Sequence, residues 1–248
     1  MARFYYDDEF PEYVSIGERR RKAEREAAKL KNASPVVING SRIAHTFWGK
    51  SWCENLERYS DYVNRLPRGR SYVRSGCVVD LQISPEIVQA SVSGSRLYDV
   101  EVKIAPISKP RWKAVCHDCA GAIDSLVELL EGRFSRVTME RLCQQKTGLF
   151  PTPAELQFDC SCPDSARMCK HIAAVLYGIG ARLDEKPELL FILRNVNQQD
   201  LIANAGRRMT KPKTARFLET DDLSELFGIE IVSPKRKRPT SKPGRGYK

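Results

Sequence analysis

The stretch Leu156-Gln157-Phe158-Asp159-Cys160-Ser161-Cys162-Pro163 is followed, six residues after Cys162, by Cys169-Lys170-His171-Ile172. Leu156, Phe158 and Cys160 alternate with Gln157 and Asp159, so a strand runs into the first cysteine. Along a strand, residues i and i+2 point the same way, with backbones about 6.6 Å apart. Two thiolates on one zinc sit nearer ~3.8 Å apart, given Zn–S bonds of ~2.3 Å. The chain must therefore bend at Cys160 and Cys162, or their side chains must lean together. Pro163 suits a strand that stops there. Cys169 and His171 pose the opposite problem, because i and i+2 in a helix point about 200° apart. Cys169 then belongs to a turn and His171 to the first turn of a helix, whose apolar stripe is Ile172, Val175, Leu176, Ile179 and Leu183. The competing reading is buried thiols and a core histidine. Three Cys and one His within twelve residues, among Ser161, Asp164, Ser165, Arg167 and Lys170, do not have the composition of a core. Cys160, Cys162, Cys169 and His171 are thus the expected ligands of one zinc ion. Zinc is structural where protein fills all four positions.

Upstream, three runs show period 2 with one polar face. Cys77, Val79, Leu81 and Ile83 form the first, Val88, Ala90 and Val92 the second, and Tyr98, Val100, Val102 and Ile104 the third. Pro85-Glu86 and Gly94-Ser95-Arg96 are short enough for hairpins, so the pattern predicts a half-buried antiparallel meander. Helices should cover its apolar face. One is expected near Lys50 to Tyr59, with Trp52, Leu56 and Tyr59 on one side. Another has Ile123, Leu126, Val127 and Leu130 inward and Gly132 at its end. Arg65-Leu66-Pro67-Arg68-Gly69-Arg70 reads as a break between elements. The fold class is therefore α+β, in five stretches. Residues 1–35 are a charged segment in which Ser15 and Glu18 have capping-box spacing but no apolar stripe exists to bury. Residues 36–149 hold the three-stranded sheet and its helices. Residues 150–195 form the strand–turn–helix finger. Residues 196–233 read as helical, with Leu223, Leu226 and Phe227 on one face, and residues 234–248 as a disordered basic tail.

The chain of 248 residues carries 41 Lys and Arg against 31 Asp and Glu, a net charge of +10. Its last fifteen residues hold seven Lys or Arg and no acid. So basic a balance points to a polyanionic partner. Three clusters are candidate nucleic-acid contacts: Arg65, Arg68 and Arg70; Arg207, Arg208 and Lys211; and Lys235, Arg236, Lys237 and Arg238. Such contacts go to phosphates, and are sequence-independent and salt-dependent. Tyr72 and Trp48 lie near the first cluster in sequence, though Trp48 fits a core better. The longest uncharged apolar run, Ile172 to Ala181, is too short for a spanning helix. Five acids in the first twenty residues argue against a secretory signal, so the eight cysteines are expected in a reducing compartment. Cys116 and Cys119 form a C-x-x-C, but inside an expected helix, where two packed thiols are the simpler reading than a redox pair or second metal site. Cys53, Cys77 and Cys143 read as core thiols. The sequence has no phosphate-binding G-x-x-x-x-G-K-[ST] loop and no legible Ser/His/Asp arrangement.

Cys-x-Cys, a spacer and Cys-x-His before an amphipathic helix resemble the SWIM zinc finger, named for bacterial Swi/Snf-type helicases and plant Mu-type transposases. Phe47-Trp48-Gly49-Lys50-Ser51-Trp52, Arg65-Leu66-Pro67-Arg68-Gly69-Arg70-Ser71-Tyr72 and Asp159-Cys160-Ser161-Cys162-Pro163-Asp164 are similar to segments of compact bacterial SWIM-finger proteins. The resemblance implies zinc binding, DNA or protein interaction, association with a Swi/Snf-type helicase and a bacterial cytosol, with no enzyme activity. The expectation is a non-catalytic zinc module that contacts nucleic acid, most simply DNA, and docks on such a helicase. The alternatives are a pure protein adaptor and, more remotely, a cysteine-based redox enzyme.

Overall fold

A computed structural model describes residues 14–58 and 65–203. The three alternating runs form β1 (Val78–Ser84), β2 (Ile87–Ser93) and β3 (Leu97–Ile104), paired antiparallel in sequence order. Val78, Leu81, Val88, Val92, Val100 and Val102 are buried on one face, while Gln82, Gln89, Asp99 and Lys103 face solvent. The hairpin between β1 and β2 turns on Pro85 and Glu86, and Glu86 takes φ 64°. That is the positive φ a type II turn needs after proline. Asn195 donates to its carboxylate, and the Ile104 amide donates to its carbonyl.

The expected sheet of three strands gains a fourth. β4 (Leu156–Cys160) pairs antiparallel with β3, setting Leu156 opposite Ile104 and Cys160 opposite Val100. The strand of the finger is thus the edge of the same sheet, and the sheet runs through the boundary placed between residues 149 and 150. Its short length hid the pairing, since five residues carry too little pattern to name a partner.

Every residue of α7 (Lys170–Glu185) from His171 to Ala181 is buried, where the sequence promised only a stripe. The helix lies between the sheet and two others, α2 (Phe47–Glu57) and α3 (Leu66–Arg74). Small residues on its remaining faces admit them. A Cβ on Gly69 of α3 would lie 2.5 Å from the Ala173 Cβ, and one on Gly180 would lie 2.6 Å from the Cys53 sulfur. The indoles of Trp48 and Trp52 are fully buried, and both donate to carbonyls, of Leu129 and Leu176. Trp48 is therefore core, not a base-stacking platform.

Three local readings are corrected. Residues 65–70 do not break the chain but begin α3. Pro67 falls in the first turn, where its missing N–H has no helical partner to lose. The helix around Ile123 starts later, as α5 (Leu126–Glu131) capped by Ser125, so Leu129 points inward and Val127 is exposed; Gly132 does end it, at φ 67°. The helix near Lys50 begins at Phe47, because Thr46 caps it and the Asp184 carboxylate accepts from the His45 and Thr46 amides. The charged N-terminal segment is also more than a solvated helix. α1 (Ile16–Ala27) opens with a complete Ser15–Glu18 capping box and buries Ala23 against β1 and β2.

α4 (Lys109–Asp118), α6 (Arg136–Leu142), α8 (Glu188–Leu193) and α9 (Gln199–Ala203) complete the described α-helices. Cys116 and Cys119 are buried at the end of α4, and burial pushes their thiols up to about 12 and about 11. Burial likewise raises Cys53 to about 12 and Cys77 to about 11. Burial holds these thiols neutral, the state of packing groups and not of nucleophiles. Tyr59, Leu223, Leu226, Phe227, Arg207, Arg208, Lys211 and the whole of 234–248, with Lys235, Arg236, Lys237 and Arg238, lie outside the described residues.

Candidate metal centre

Two elements build the site. β4 delivers Cys160 at its end, where pairing with β3 continues for one more residue. The Ser161 amide donates to the Asp99 carbonyl, and the Asp99 amide donates to the Ser161 hydroxyl, each at 3.0 Å. Cys162 follows that anchored serine. On the other side, Cys169 is the N-cap of α7, extended at φ −84° and ψ 172°, and its sulfur accepts from the Ile172 amide at 3.5 Å. His171 lies in the first turn. Asp164, between the two halves, accepts from the Ala166 amide and pairs with Arg65 at 3.1 Å, tying the finger to the start of α3.

The ligand atoms of Cys160, Cys162, Cys169 and His171 all lie within 4.8 Å of one another, the one such cluster of three or more among the described residues. The Nδ1 of His171 is 3.9 Å from the Cys160 sulfur and 3.8 Å from the Cys169 sulfur. A tetrahedral Zn with Zn–S of ~2.3 Å and Zn–N of ~2.0 Å has S···N edges of about 3.5 Å, so the two His171 edges are within a few tenths of an ångström of those of a closed site. The donor chemistry fits as well. A hydrogen bond from Cys160, helped by His171 and the Ile172 amide, holds the Cys169 thiol well below its ordinary range, while that same contact and burial hold Cys160 protonated. Sulfurs crowded this closely share protons when no cation is among them, and a divalent cation relieves the crowding by replacing those protons. Cys169 and His171 are buried and Cys160 and Cys162 half-buried, so one side of the site faces solvent.

Which nitrogen faces the sulfurs was not legible in the sequence. Nδ1 does, and Nε2 is buried with no hydrogen-bond partner among the described residues. The imidazole is fixed instead by rings. Tyr98 stacks on it at 4.3 Å and 25°, Tyr72 meets it edge-on at 5.5 Å, and Gly94 lies against Nε2. Tyr98 belongs to an alternating strand, and Tyr72 follows the segment read as a break and stood out only for its nearness to the first basic cluster, so no sequence signal marked either as a neighbour of the site.

The structure separates the first basic cluster. Arg65 is paired with Asp164. Arg70 is held by Glu57 and by the Tyr177 hydroxyl at 2.9 Å. Arg68 is exposed, with no bonded partner among the described residues.

A Cys3His cluster between an edge strand and a helix N-terminus is the ligand arrangement of a structural zinc finger. Residues 150–178 match the family model of the SWIM zinc finger, a zinc-binding module. One curated relative, described as uncharacterized protein Rv2102 of Mycobacterium tuberculosis (strain ATCC 25618 / H37Rv), is 37% identical over 165 residues, covering 65% of this chain. The chain spans 59% of that protein's length. No solved structure matches. No helix among the described residues is long and apolar enough to cross a membrane.

Proposed function

We propose that this protein is a non-catalytic module in which one structural zinc, held by Cys160, Cys162, Cys169 and the Nδ1 of His171, rigidifies a surface that contacts nucleic acid. The observation that carries this reading is the closed donor set. Four protein ligands leave no position for a water or substrate, so the ion's chemistry is to cross-link β4 to α7. The neutral, buried Cys116 and Cys119 favour a binding role over redox chemistry. The nucleic-acid contact is supported by the seven cations of residues 234–248 and by exposed Arg68. Its expected form is phosphate contact without sequence preference, to DNA first. The resemblance to the SWIM finger adds a Swi/Snf-type helicase as the expected protein partner and a cytoplasmic setting.

Two measurements test the reading. Elemental analysis of the purified chain should find about one zinc per molecule, and Cys162→Ser should remove most of it. Unchanged zinc in that variant rejects the ligand set. Binding to short DNA and RNA at low and high salt, with and without residues 234–248, should show salt-dependent affinity that falls on truncation. Absence of binding at low salt rejects the nucleic-acid contact, and a helicase pull-down that survives nuclease then leaves the adaptor role.

A further inference from the structure

We infer that the folded body carries a phosphate-contacting surface of its own, a band of cations running from α1 over the metal centre to the start of α7. It rests on the nucleic-acid reading above, and adds to the C-terminal cations a contact built by Arg19, Lys22, Arg96 and Lys170. Four observations place these residues side by side. Tyr72 has Arg19 over its ring, the guanidinium carbon 5.8 Å from the centroid, and Lys170 over the same ring, the ammonium at 5.2 Å. Arg96 lies over Tyr98 at 5.4 Å and donates to the Ser161 carbonyl at 3.1 Å. Tyr72 and Tyr98 are the rings that hold His171, so Arg19, Lys170 and Arg96 are each one aromatic layer from the metal ligand. Lys22, three residues beyond Arg19 on α1, donates to the carbonyls of Gly94 and Ser95 at 2.6 and 2.8 Å, beside Arg96.

No ion pair neutralises the band. Arg65, Arg70, Arg111, Arg141 and Arg182 each pair with a carboxylate. No carboxylate lies within ion-pairing distance of Arg19, Lys22, Arg96 or Lys170 among the described residues, and their partners are rings and carbonyls. Of the acids on the same elements, Glu18 is engaged in the capping box and Asp99 by the Ser91 hydroxyl, while Glu24 and Glu26 of α1 form no ion pair with Arg19 or Lys22 among the described residues. Rings and carbonyls orient a cation without cancelling its charge. A zinc with three thiolates contributes a net negative charge, which four unpaired cations exceed. Tyr72 and Tyr98 are covered by these cations and packed on His171, so they are not free to stack on bases. The chemistry that fits is therefore a phosphodiester backbone, read as charge and not as sequence.

The test uses the full chain, a short DNA duplex and a short RNA strand, with binding followed by fluorescence anisotropy from about 50 to about 200 mM salt. One variant combines Arg19→Gln, Arg96→Gln and Lys170→Gln. A second removes the same number of charges elsewhere, by Lys113→Gln, Arg133→Gln and Arg136→Gln. Zinc content and thermal unfolding verify that both are folded, and Arg96→Gln and Lys170→Gln singly replace the first if it is not. Loss of the band should weaken binding about 10-fold or more and reduce the slope of log affinity against log salt by about 2–3, or about 1 for a single variant. The charge-matched variant should do neither. Equal effects of the two sets overturn the placement on α1, the turn and α7 while the nucleic-acid reading stands. Absence of binding by the unaltered chain removes both. Whether DNA or RNA retains the larger dependence on the band identifies the polyanion.

Discussion

The guanidinium of Arg194 is wholly buried, and its tolerance there depends on Glu155. Arg194 donates to Glu155 at 2.8 Å and to the Ala105 carbonyl, and Arg111 donates to both Glu155 oxygens at 3.1 Å. Glu155 also closes a capping box with Thr152 immediately before β4, so this network sets where the finger strand begins. Burial alone would raise the Glu155 carboxyl. The hydrogen bonds from Arg194 and the Thr152 amide and the charges of Arg194 and Arg111 outweigh it and hold the pKa at about 2. Its folded value lies below its ordinary 4.5, so the stabilisation is complete above pH 4.5 and lost as pH falls through about 2. Denaturant unfolding across that window should show falling stability in the native chain. Glu155→Gln should flatten this fall and cost about 3 kcal/mol at neutral pH, since it removes the carboxylate charge that compensates the buried guanidinium. Gly94 makes a second residue-scale test. A Cβ there would lie 2.8 Å from the Tyr98 ring and 3.2 Å from the Nε2 of His171. Gly94→Ala should push the stacked pair and lower zinc affinity about 10-fold or more in competition with a chelator, although residue 94 is not a ligand.

At the scale of elements, the close approach of α3 to α7 depends on one missing side chain. A Cβ on Gly69 would meet the Ala173 Cβ at 2.5 Å and its backbone carbon at 2.7 Å, and neither can swing away. Gly69→Ala should cost about 2 kcal/mol or more despite a gain in helix propensity, read as a lower denaturant midpoint at unchanged slope. The same substitution at an exposed helical glycine, Gly17, should stabilise or be neutral, as nothing lies within 4 Å of its added carbon. This contrast also explains what could be read from sequence. β1 to β3 were legible because period-2 alternation is a local signal, and so was α7 from its stripe. α3 was not, since Pro67 and Gly69 look like breakers until a neighbour is known: one sits where a helix needs no N–H, the other where α7 needs room. The Cys3His cluster was legible because zinc chemistry fixes residue types and spacing within one short segment. The rings around His171 were not, because they arrive from α3 and β3, distant in sequence and unmarked by composition.

For the whole molecule, the decisive fact is that the finger is not an appendage. β4 is the fourth strand of the only sheet among the described residues, and α7 is the helix on which α2, α3 and the sheet pack. A metal held by Cys160, Cys162, Cys169 and His171 would therefore join the sheet edge to the central helix. An isolated finger would lose only its own turn without zinc. Here chelation frees Cys160 and Cys162 beside the β3 pairing and Cys169 at the cap of the most buried helix, so the damage should reach residues far from the ion in sequence. Calorimetry of the zinc-loaded chain should show one principal transition for the body. A zinc chelator should move that whole transition down by about 10 °C or more, given that a few kcal/mol shifts a body of this size by several degrees each. Hydrogen exchange should accelerate together in β3, β4 and α7, and the rise should extend to the Trp52 contact between α2 and α7. A body transition that stays at the zinc-loaded temperature, with exchange faster only around residues 160–171, contradicts this coupling and makes the finger an independent unit resting on an already stable core.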